Sequence, residues 1–309
     1  MRIGYLLPTR EQIMEGRPQT QSLLRLAEHA RECGFDSIWV GDSLLARPRH
    51  EPLTLLAAVS ARVPGIEIGT AVLLPALRNP VLLAHQIATL DQVAEGRLIL
   101  GVGIARDVAS IRGEFAAAGV PFEKRIGRLI EGLQLAKSLW SGQNVDWDGR
   151  WRVKGTLGPT PHRAGGPPVW IAGSLPASLE RAGKIFDGWI PNVGDACEWG
   201  RQWAQIQTIA RQSGRDPDRL TGAMYLTLSI DEDVGRANQR LNSYLERYYE
   251  QPAAVLRGRQ ECYAGPPSGL AAYLGGYRRA GANHLILRFA GDHERHLEAA
   301  ARLRRELGW

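Results

Sequence analysis

Short apolar runs alternate with longer stretches of helical periodicity from one end of the chain to the other. Eight of these runs, rich in β-branched and aliphatic residues, are predicted to be strands. They are apolar at nearly every position, which is typical of parallel strands covered on both faces. The predicted strands are IGYLL from Ile3, SIWVG from Ser37, IEIGTAVLL from Ile66, LILGVG from Leu98, PVWIAG from Pro168, GWIPN from Gly188, AMYLTLSI from Ala223 and HLILRF from His284.

Eight strand-and-helix units predict an α/β protein that folds as one (β/α)₈ barrel domain over residues 1–309. The alternative is an open doubly wound sheet, which usually has about six strands and a nucleotide-binding fingerprint after the first. Here the first strand runs into Pro8 and Thr9 instead. Two segments interrupt the pattern, residues 143–166 and 251–269. They are either lid-like insertions over the barrel mouth or simple excursions of the chain.

Composition and charge narrow the class of protein. The 44% of hydrophobic residues and 23% of charged residues are those of a globular protein with a sizeable core. No stretch approaches the roughly 18 apolar residues of a membrane span, and the chain starts directly in a strand pattern, so we expect a cytoplasmic protein without membrane contact. The net charge of +6 is dispersed along the chain, which argues against nucleic-acid binding.

The residues after each predicted strand decide which chemistry a barrel can support, because barrel active sites lie at the carboxyl ends of the strands. Neither a metal-binding HxH pair nor a lysine follows any strand, so we expect no metal site and no Schiff base. The strand ends offer glycines, small hydroxyls and arginines instead. This set suits a flat, phosphate-bearing cofactor that carries its own reactivity, and it indicates a flavin.

Four segments are similar to the luciferase-like flavin-dependent oxidoreductases: GFDSIWVGDS, IGTAVLLPALRNPVLLAHQIATLDQVAEGRLILGVG, FEKRIGRLIEG and PPVWIAGSLPASLERAGKIFDGWIP. The resemblance covers most of the chain. It implies a (β/α)₈ barrel, in agreement with the strand count, and FMN or the deazaflavin F420 as cofactor.

The resemblance also implies where the cofactor binds. Ala71, Val72 and Leu73 fall where relatives bulge the third strand, with a non-proline cis peptide, against the isoalloxazine ring; the alternative is a plain buried strand. Gly173 and Ser174 match the family's phosphate-binding turn, and a close backbone approach with a hydroxyl and free helix amides fits that role. The alternative for this turn is a helix N-cap alone.

Three further positions are weaker candidates for cofactor binding. Gly103, in the segment GVGIAR, resembles a glycine loop, although tight packing between strand and helix is the commoner reason for such glycines. In FMN-using relatives an arginine near this loop, here Arg106, and another in the segment FEKRIGR, here Arg125, approach the phosphate. A helix-face salt bridge is the alternative role for Arg125.

Departures from the family bear on the choice of cofactor. Relatives that oxidise alcohols or sugar phosphates with F420 carry Asp-His after the second strand and a glutamate after the fourth. This chain has Asp42 and Ser43, and then Arg106, at the matching positions. We therefore expect polar contacts from Asp42 and Ser43, and His50, in the same loop, is the candidate proton donor because histidine titrates near neutral pH.

The sequence thus predicts an FMN-dependent monooxygenase that oxidises a small organic substrate with reduced flavin and O₂. An F420-dependent hydride-transfer enzyme is the first alternative, and a non-catalytic flavin-binding barrel subunit is the second. The resemblance further implies a homodimer, with a flavin reductase as a candidate partner that supplies the reduced cofactor.

Overall fold

The computed structural model describes residues 1–16 and 18–309. Its chain forms two compact units, Met1–Trp39 with Trp170–Trp309, and Val40–Val169. They are called unit one and unit two below. The boundaries fall inside two strands, β2 (Ser37–Val40) and β7 (Val169–Ile171).

Unit one contains the chain termini and most of the helices. Besides most of β2 and β7, its strands are β1 (Arg2–Leu6), β8 (Gly188–Trp189), β9 (Thr221–Ile230), β10 (Cys262–Gly265) and β11 (His284–Phe289). Its helices are α1 (Glu11–Met14), α2 (Thr20–Glu32), α7 (Pro176–Ile185), α8 (Ala196–Gln212), α9 (Val234–Tyr249), α10 (Ala253–Arg257), α11 (Pro267–Arg279) and α12 (His293–Glu306).

Unit two carries the third and fourth predicted strands. Its strands are β3 (Glu67–Leu73), β4 (Leu98–Val102) and an antiparallel hairpin of β5 (Val145–Asp148) and β6 (Arg152–Gly155). Its helices are α3 (Pro52–Arg62), α4 (Pro80–Val93), α5 (Ala109–Ala117) and α6 (Arg125–Leu139), with short 3₁₀ turns at Pro75–Leu77 and Phe122–Lys124.

Eight parallel strands follow one another in the order β9-β11-β1-β2-β3-β4-β7-β8, and β8 also pairs with β9, which closes the ring. The fold is therefore a (β/α)₈ barrel, as the alternating pattern predicts. Along β9, the two residues of β8 reach only its start, Thr221 and Gly222. Strand β10 pairs with the last four residues of β9, Thr227 to Ile230.

All eight predicted strands are present, and the described residues form three more that the sequence pattern did not predict. The hairpin β5–β6 lies in the first insertion, and α10 and β10 lie in the second. The helix predicted after the third strand is confirmed as α4. Asn79 caps it by accepting hydrogen bonds from the backbone N–H groups of Val81 and Leu82, and Pro80 is its first residue.

The core of unit one shows why its strands are apolar throughout. Trp39, Trp170 and His284 pack together, with the two indole rings 5.4 Å apart and the imidazole edge against both. Burial, followed by the charge of Arg2, lowers the pKa of His284 to about 3. The imidazole is therefore neutral at physiological pH, and it contacts the Ser37 hydroxyl at 2.8 Å. Among the described residues, no helix is both long and apolar enough to span a bilayer.

Candidate functional site

The carboxylate of Asp42 ties the end of β2 to the end of β3. Only 5% of its side chain is exposed. Its Oδ2 accepts hydrogen bonds from Leu74 N (2.9 Å) and from Nη1 of Arg78 (2.5 Å), and Nη2 of Arg78 donates to Oδ1 (3.2 Å). The acceptor capacity of Asp42 is thus largely taken up by protein donors.

Arg78 also donates to Glu51 Oε1 at 3.2 Å, so one guanidinium joins two carboxylates. Burial lowers the pKa of Arg78, but Asp42 and Glu51 raise it by more, and the net pKa lies above its ordinary value. Glu51 itself caps α3 by accepting a hydrogen bond from Thr54 N at 2.7 Å. These contacts fix the start of α3 relative to the ends of β2 and β3.

Ser43 is bound to a glutamate from α5. The carboxylate oxygen Oε2 of Glu114 accepts a hydrogen bond from the Ser43 hydroxyl at 2.9 Å, and three consecutive backbone N–H groups, of Leu44, Leu45 and Ala46, donate to the same oxygen at 2.8–3.0 Å. Glu114 is fully buried. The loop that follows β2 is therefore wrapped around one carboxylate, and the Ser43 hydroxyl is engaged in holding it.

His50 lies in the same loop, directly before Glu51, and is half-buried. Its predicted role in proton transfer stays a prediction. The loop that carries it is anchored at one end by Asp42 and Ser43 and at the other by Glu51.

Strand β3 is bulged where the resemblance implies a bulge. Thr70 pairs with Leu100 and Leu73 with Val102, so Ala71 and Val72 together face the single residue Gly101. The peptide bond between Ala71 and Val72 is cis. Both the bulge and the cis peptide are therefore present, and the alternative of a regular strand is wrong.

Gly101 in β4 and Gly103, directly after that strand, make room for this bulge. A Cβ atom on Gly101 would overlap the carbonyl oxygen of Thr70, and one on Gly103 would lie 2.6 Å from Val72 Cγ2. The Thr70 hydroxyl donates to the Gly101 carbonyl at 2.8 Å. Close strand packing therefore explains Gly101 and Gly103 without a ligand.

The two candidate arginines of unit two lie in different surroundings. Arg106 is exposed in the loop between β4 and α5. Arg125 opens α6, its guanidinium stacks 3.8 Å from the ring centroid of Phe122, and it donates to the Phe122 carbonyl at 3.1 Å. Its Nε is buried and has no partner among the described residues. The helix-face salt bridge proposed for Arg125 is not formed in the described part of the chain.

The turn at Gly173 and Ser174 belongs to unit one and precedes α7. Gly173 has φ +107°, a conformation that favours glycine, and its carbonyl accepts a hydrogen bond from Trp189 Nε1 at 2.7 Å. Ser174 Oγ is buried without a partner among the described residues, and α7 begins without a side-chain cap. A buried hydroxyl without a partner beside an uncapped helix start fits a bound oxyanion.

Sequence reasoning placed Asp42 and Ser43 at a strand end but missed the two residues that hold them. Glu114 is 71 residues from Ser43, and Arg78 is 36 residues from Asp42. A glutamate in the predicted helix after the fourth strand carries no local signal of burial. The proline-flanked segment PALRNP did mark Arg78 as lying between a strand end and a helix start.

The family model described as luciferase-like monooxygenase matches residues 1–308. The chain therefore belongs to this family, as the four quoted segments indicate, and it is an oxidoreductase. It is 29% identical to the F420-dependent glucose-6-phosphate dehydrogenase of Nocardia farcinica over 303 residues, which cover 89% of this chain and 90% of that protein. It is 30% identical to the protein of the same name from Mycolicibacterium smegmatis over 309 residues, with 90% and 91% covered.

A solved structure shows the same fold. The monooxygenase from Streptomyces bottropensis superimposes with a TM-score of 0.83 at 23% identity, and the match covers 99% of this chain and 98% of that one. At this identity the similarity bears on the fold alone, and it agrees with the closed ring of eight strands.

Proposed function

We propose that the protein is an FMN-dependent monooxygenase acting on a small organic substrate. One observation carries the choice: Asp42 and Ser43, the polar groups that follow β2, are both engaged with protein partners, Arg78 and Glu114. An alcohol dehydrogenase needs a protein acid or base to move the hydroxyl proton. A monooxygenase makes less demand on protein acids and bases, since its cofactor carries the reaction.

When bound, reduced FMN would supply the two electrons of the proposed reaction, so that one atom of O₂ would enter the substrate and the other, with two protons, would leave as water. The protein's part is to bind the cofactor, exclude water and deliver a proton. We assign the proton delivery to His50, whose loop is held in place by Asp42, Ser43 and Glu51.

We propose that the turn before α7 binds the cofactor phosphate. Ser174 Oγ lacks a protein partner in the described chain and would donate its proton to a phosphate oxygen, while Gly173 leaves the backbone open to close approach.

Arg106 and Arg125 of unit two are proposed to contribute positive charge to cofactor binding. The buried Nε of Arg125, which has no partner among the described residues, supports this role.

The bulged end of β3 is proposed as the surface for the cofactor ring. Leu73 is fully buried and Leu74 nearly so, and the bulge at Ala71 and Val72 faces Gly101 of the neighbouring strand. An apolar strand end suits a flat ring system, because dispersion contacts and exclusion of water need no flexible side chains.

An F420-dependent hydride-transfer enzyme is the second candidate. It is supported by the names of the two relatives that are 29% and 30% identical over about nine-tenths of the chain. The contacts of Asp42 and Ser43 argue against oxidation of a sugar or alcohol, but they leave reduction of a substrate by F420 open.

A spectral titration separates the two candidates. The purified protein is titrated with FMN and with F420 in parallel, and binding is followed by visible absorbance and cofactor fluorescence. We expect FMN to bind at least about tenfold more tightly, and reduced FMN with the protein to consume O₂ in a substrate-dependent way. Tighter binding of F420 would overturn the FMN proposal. A rate of reduced-cofactor turnover equal to the uncatalysed rate would favour a non-catalytic barrel.

We also propose a homodimer that receives reduced flavin from a separate reductase. Sedimentation at micromolar concentration tests the dimer, and a single species of about 34 kDa would contradict it. Addition of a flavin reductase with NADH tests the supply of reduced cofactor.

A further inference from the structure

Arg288 is a buried cation in unit one, one residue before the end of β11, and only 2% of it is exposed. Its hydrogen bonds all go to neutral groups. Nε and Nη2 donate to Thr227 Oγ1 (3.2 and 2.8 Å), Nη2 donates to Gln260 Oε1 (2.8 Å), and Nη1 donates to the Tyr249 hydroxyl (2.9 Å). These four bonds leave one of the five guanidinium N–H groups, on Nη1, for another acceptor.

Four tyrosine rings surround this guanidinium. The centroids of Tyr225, Tyr244, Tyr248 and Tyr249 lie 5.0–5.5 Å from its central carbon. Burial lowers the pKa of Arg288, but the surrounding tyrosines raise it by more, so the pKa stays well above its ordinary value. The site, called the tyrosine cage below, therefore holds a full positive charge.

The tyrosine cage lacks the usual counter-charge. Buried arginines are normally paired with a carboxylate, because a desolvated charge is costly without one. In the described part of the chain no carboxylate forms an ion pair with Arg288, whereas Arg240 in the same unit is paired with Asp231 at 2.8 Å. The ring faces carry partial negative charge but no formal charge that would neutralise the guanidinium.

Gln260 supplies an independent sign of a ligand. It is 5% exposed, and its Oε1 accepts hydrogen bonds from Arg288 and from the Tyr249 hydroxyl, which fixes the orientation of the amide. Its Nε2 is buried and has no acceptor among the described residues. A buried amide donor beside a buried cation is satisfied by an acceptor with negative charge.

A second guanidinium faces the same cage. Arg10, which follows β1, is 6% exposed and lies 5.1 Å from the ring centroid of Tyr248. It is 3.5 Å from the carboxylate of Glu250, whose side chain is 83% exposed and therefore largely solvated. Arg10 thus adds positive charge to one side of the cage.

One carboxylate also borders the tyrosine cage. Glu11 accepts a hydrogen bond from the Tyr244 hydroxyl at 2.7 Å, and its other oxygen contacts His293 Nε2 at 2.7 Å. Glu11 is thus engaged by a hydroxyl and an imidazole, and in the described part of the chain it forms no ion pair with Arg288. The buried charge of Arg288 is left without a counter-ion, which favours an anion at the cage.

We propose that the tyrosine cage is the subsite for a monoanionic group, a carboxylate or a sulfonate, on the organic substrate. The oxyanion accepts hydrogen bonds from Arg288 Nη1 and Gln260 Nε2, and the apolar body of the molecule packs on the tyrosine rings. Arg288 lies near the carboxyl end of its strand, where barrel enzymes place their substrate contacts. That the ligand is a substrate rests on the proposed function; that the cage binds an anion does not.

The test compares a charged probe with a neutral molecule of the same shape. The full-length protein, without cofactor and at constant ionic strength, is titrated calorimetrically with benzoate and with benzamide, and its Tm is followed in both. Benzoate is expected to bind saturably, at least about tenfold more tightly than benzamide, and to raise the Tm. Equal binding of the two probes, or no saturable binding of benzoate, would overturn the proposal.

Two substitutions separate binding from structure. Arg288→Gln should lose at least about tenfold in benzoate affinity, but it could also impair folding. Gln260→Glu is nearly isosteric and places a carboxylate beside Arg288, so it should raise the Tm of the ligand-free protein and still lose benzoate binding. A purely structural Arg288 predicts unchanged benzoate affinity in Gln260→Glu. Arg302→Gln, whose parent side chain is 58% exposed, is the matched control and should leave the affinity unchanged.

The outcome is independent of the cofactor assignment. If benzoate binds as expected and neither FMN nor F420 does, the proposed function fails and the anion subsite remains. If a cofactor binds and turns over but benzoate fails the comparison with benzamide, only the subsite fails.

Discussion

The end of β2 and the end of β11 bury charged side chains in opposite ways. After β2, Asp42 is matched by Arg78, and Glu114 accepts four hydrogen bonds from one loop. In β11, Arg288 has only hydroxyl, amide and aromatic partners. The first arrangement pairs Asp42 with an arginine and gives Oε2 of Glu114 four donors, although Oε1 of Glu114 is buried without a partner among the described residues. The second leaves a buried cation without any carboxylate partner in the described chain.

The two places illustrate two roles that a buried charged side chain can have, one in stability and one in ligand binding. A charge whose hydrogen bonds are completed by its own chain rigidifies the structure around it, and removal of one partner costs stability. A charge left with neutral partners lowers stability in the free protein but can repay that cost when a ligand completes it. Stability and ligand affinity should therefore respond differently at the two places.

The largest effect is expected for Glu114→Ala. The substitution leaves the Ser43 hydroxyl and the N–H groups of Leu44, Leu45 and Ala46 without their acceptor, so the free energy of unfolding should fall by about 4 kcal/mol. Denaturant unfolding measures it. Glu123→Ala is the control, because that carboxylate is 71% exposed, and it should be indistinguishable from the unsubstituted protein. A loss below about 1 kcal/mol for Glu114→Ala would show that the buried carboxylate after β2 does not stabilise the fold, and the contrast with β11 would fail.

A smaller loss, about 3 kcal/mol, is expected for Asp42→Ala, because Arg78 keeps its half-buried charge without its main partner. Arg78→Lys should cost about 1 kcal/mol, since an ammonium keeps the charge but loses the fork that contacts both Asp42 oxygens. Unfolding and steady-state turnover are measured together. If Asp42→Asn abolished turnover while stability stayed unchanged, Asp42 would be a catalytic residue and not an anchor.

The next largest expected effect is a loss of stability at low pH, caused by the buried histidines of unit one. His296 Nε2 accepts a hydrogen bond from Ile230 N at 2.9 Å, and burial lowers its pKa to about 4; the pKa of His284 is about 3. Both pKa values are depressed, so stability is complete above pH about 6.5 and is lost as the pH falls toward the folded values.

Between pH 6.5 and 5 each histidine should remove about 2 kcal/mol from the free energy of unfolding, at about 1.4 kcal/mol per pH unit. Unfolding at several pH values measures the slope. His296→Gln should flatten it, and His85→Gln, at an exposed position, should leave it unchanged. A slope that is the same in all three proteins would contradict the assignment.

The smallest effect is expected for Ser174→Ala. Because Ser174 Oγ has no partner in the described chain, its removal should leave the free energy of unfolding unchanged. Cofactor affinity should fall about tenfold, corresponding to one hydrogen bond to a charged phosphate oxygen of about 1.5 kcal/mol. Fluorescence titration measures this, and Ser141→Ala, far along the chain from the turn, is the control. A stability loss without an affinity loss would make Ser174 a structural residue.

The barrel could be predicted from the sequence because each of its eight strands is a continuous apolar run. The three additional strands could not. In β6 exposed and half-buried positions alternate, as in a surface hairpin, and β10 exists because β9 extends past the two residues of β8. The alternation in β6 is a weak sequence signal, and the formation of β10 depends on its pairing with β9 in the folded protein.

The sequence predicted where the polar residues of the candidate site lie. It could not predict which protein groups they bind. Strand ends marked Asp42, Ser43, Gly173 and Ser174, and the resemblance added the bulge at Ala71 and Val72. Whether a polar group is engaged depends on residues distant in sequence, and no local pattern reports that. Arg288 did leave a signal, a single charged residue inside the apolar strand HLILRF.

The glycines opposite the bulge affect how an alignment of this family is interpreted. Gly101 cannot change to any other residue while Thr70 keeps its place, because even a methyl group would overlap a carbonyl oxygen. We expect such a position to stay glycine through evolutionary divergence for a steric reason that involves no ligand. Invariance at Gly101 would therefore record the path of the backbone, and sequence conservation alone would mistake it for part of the binding site.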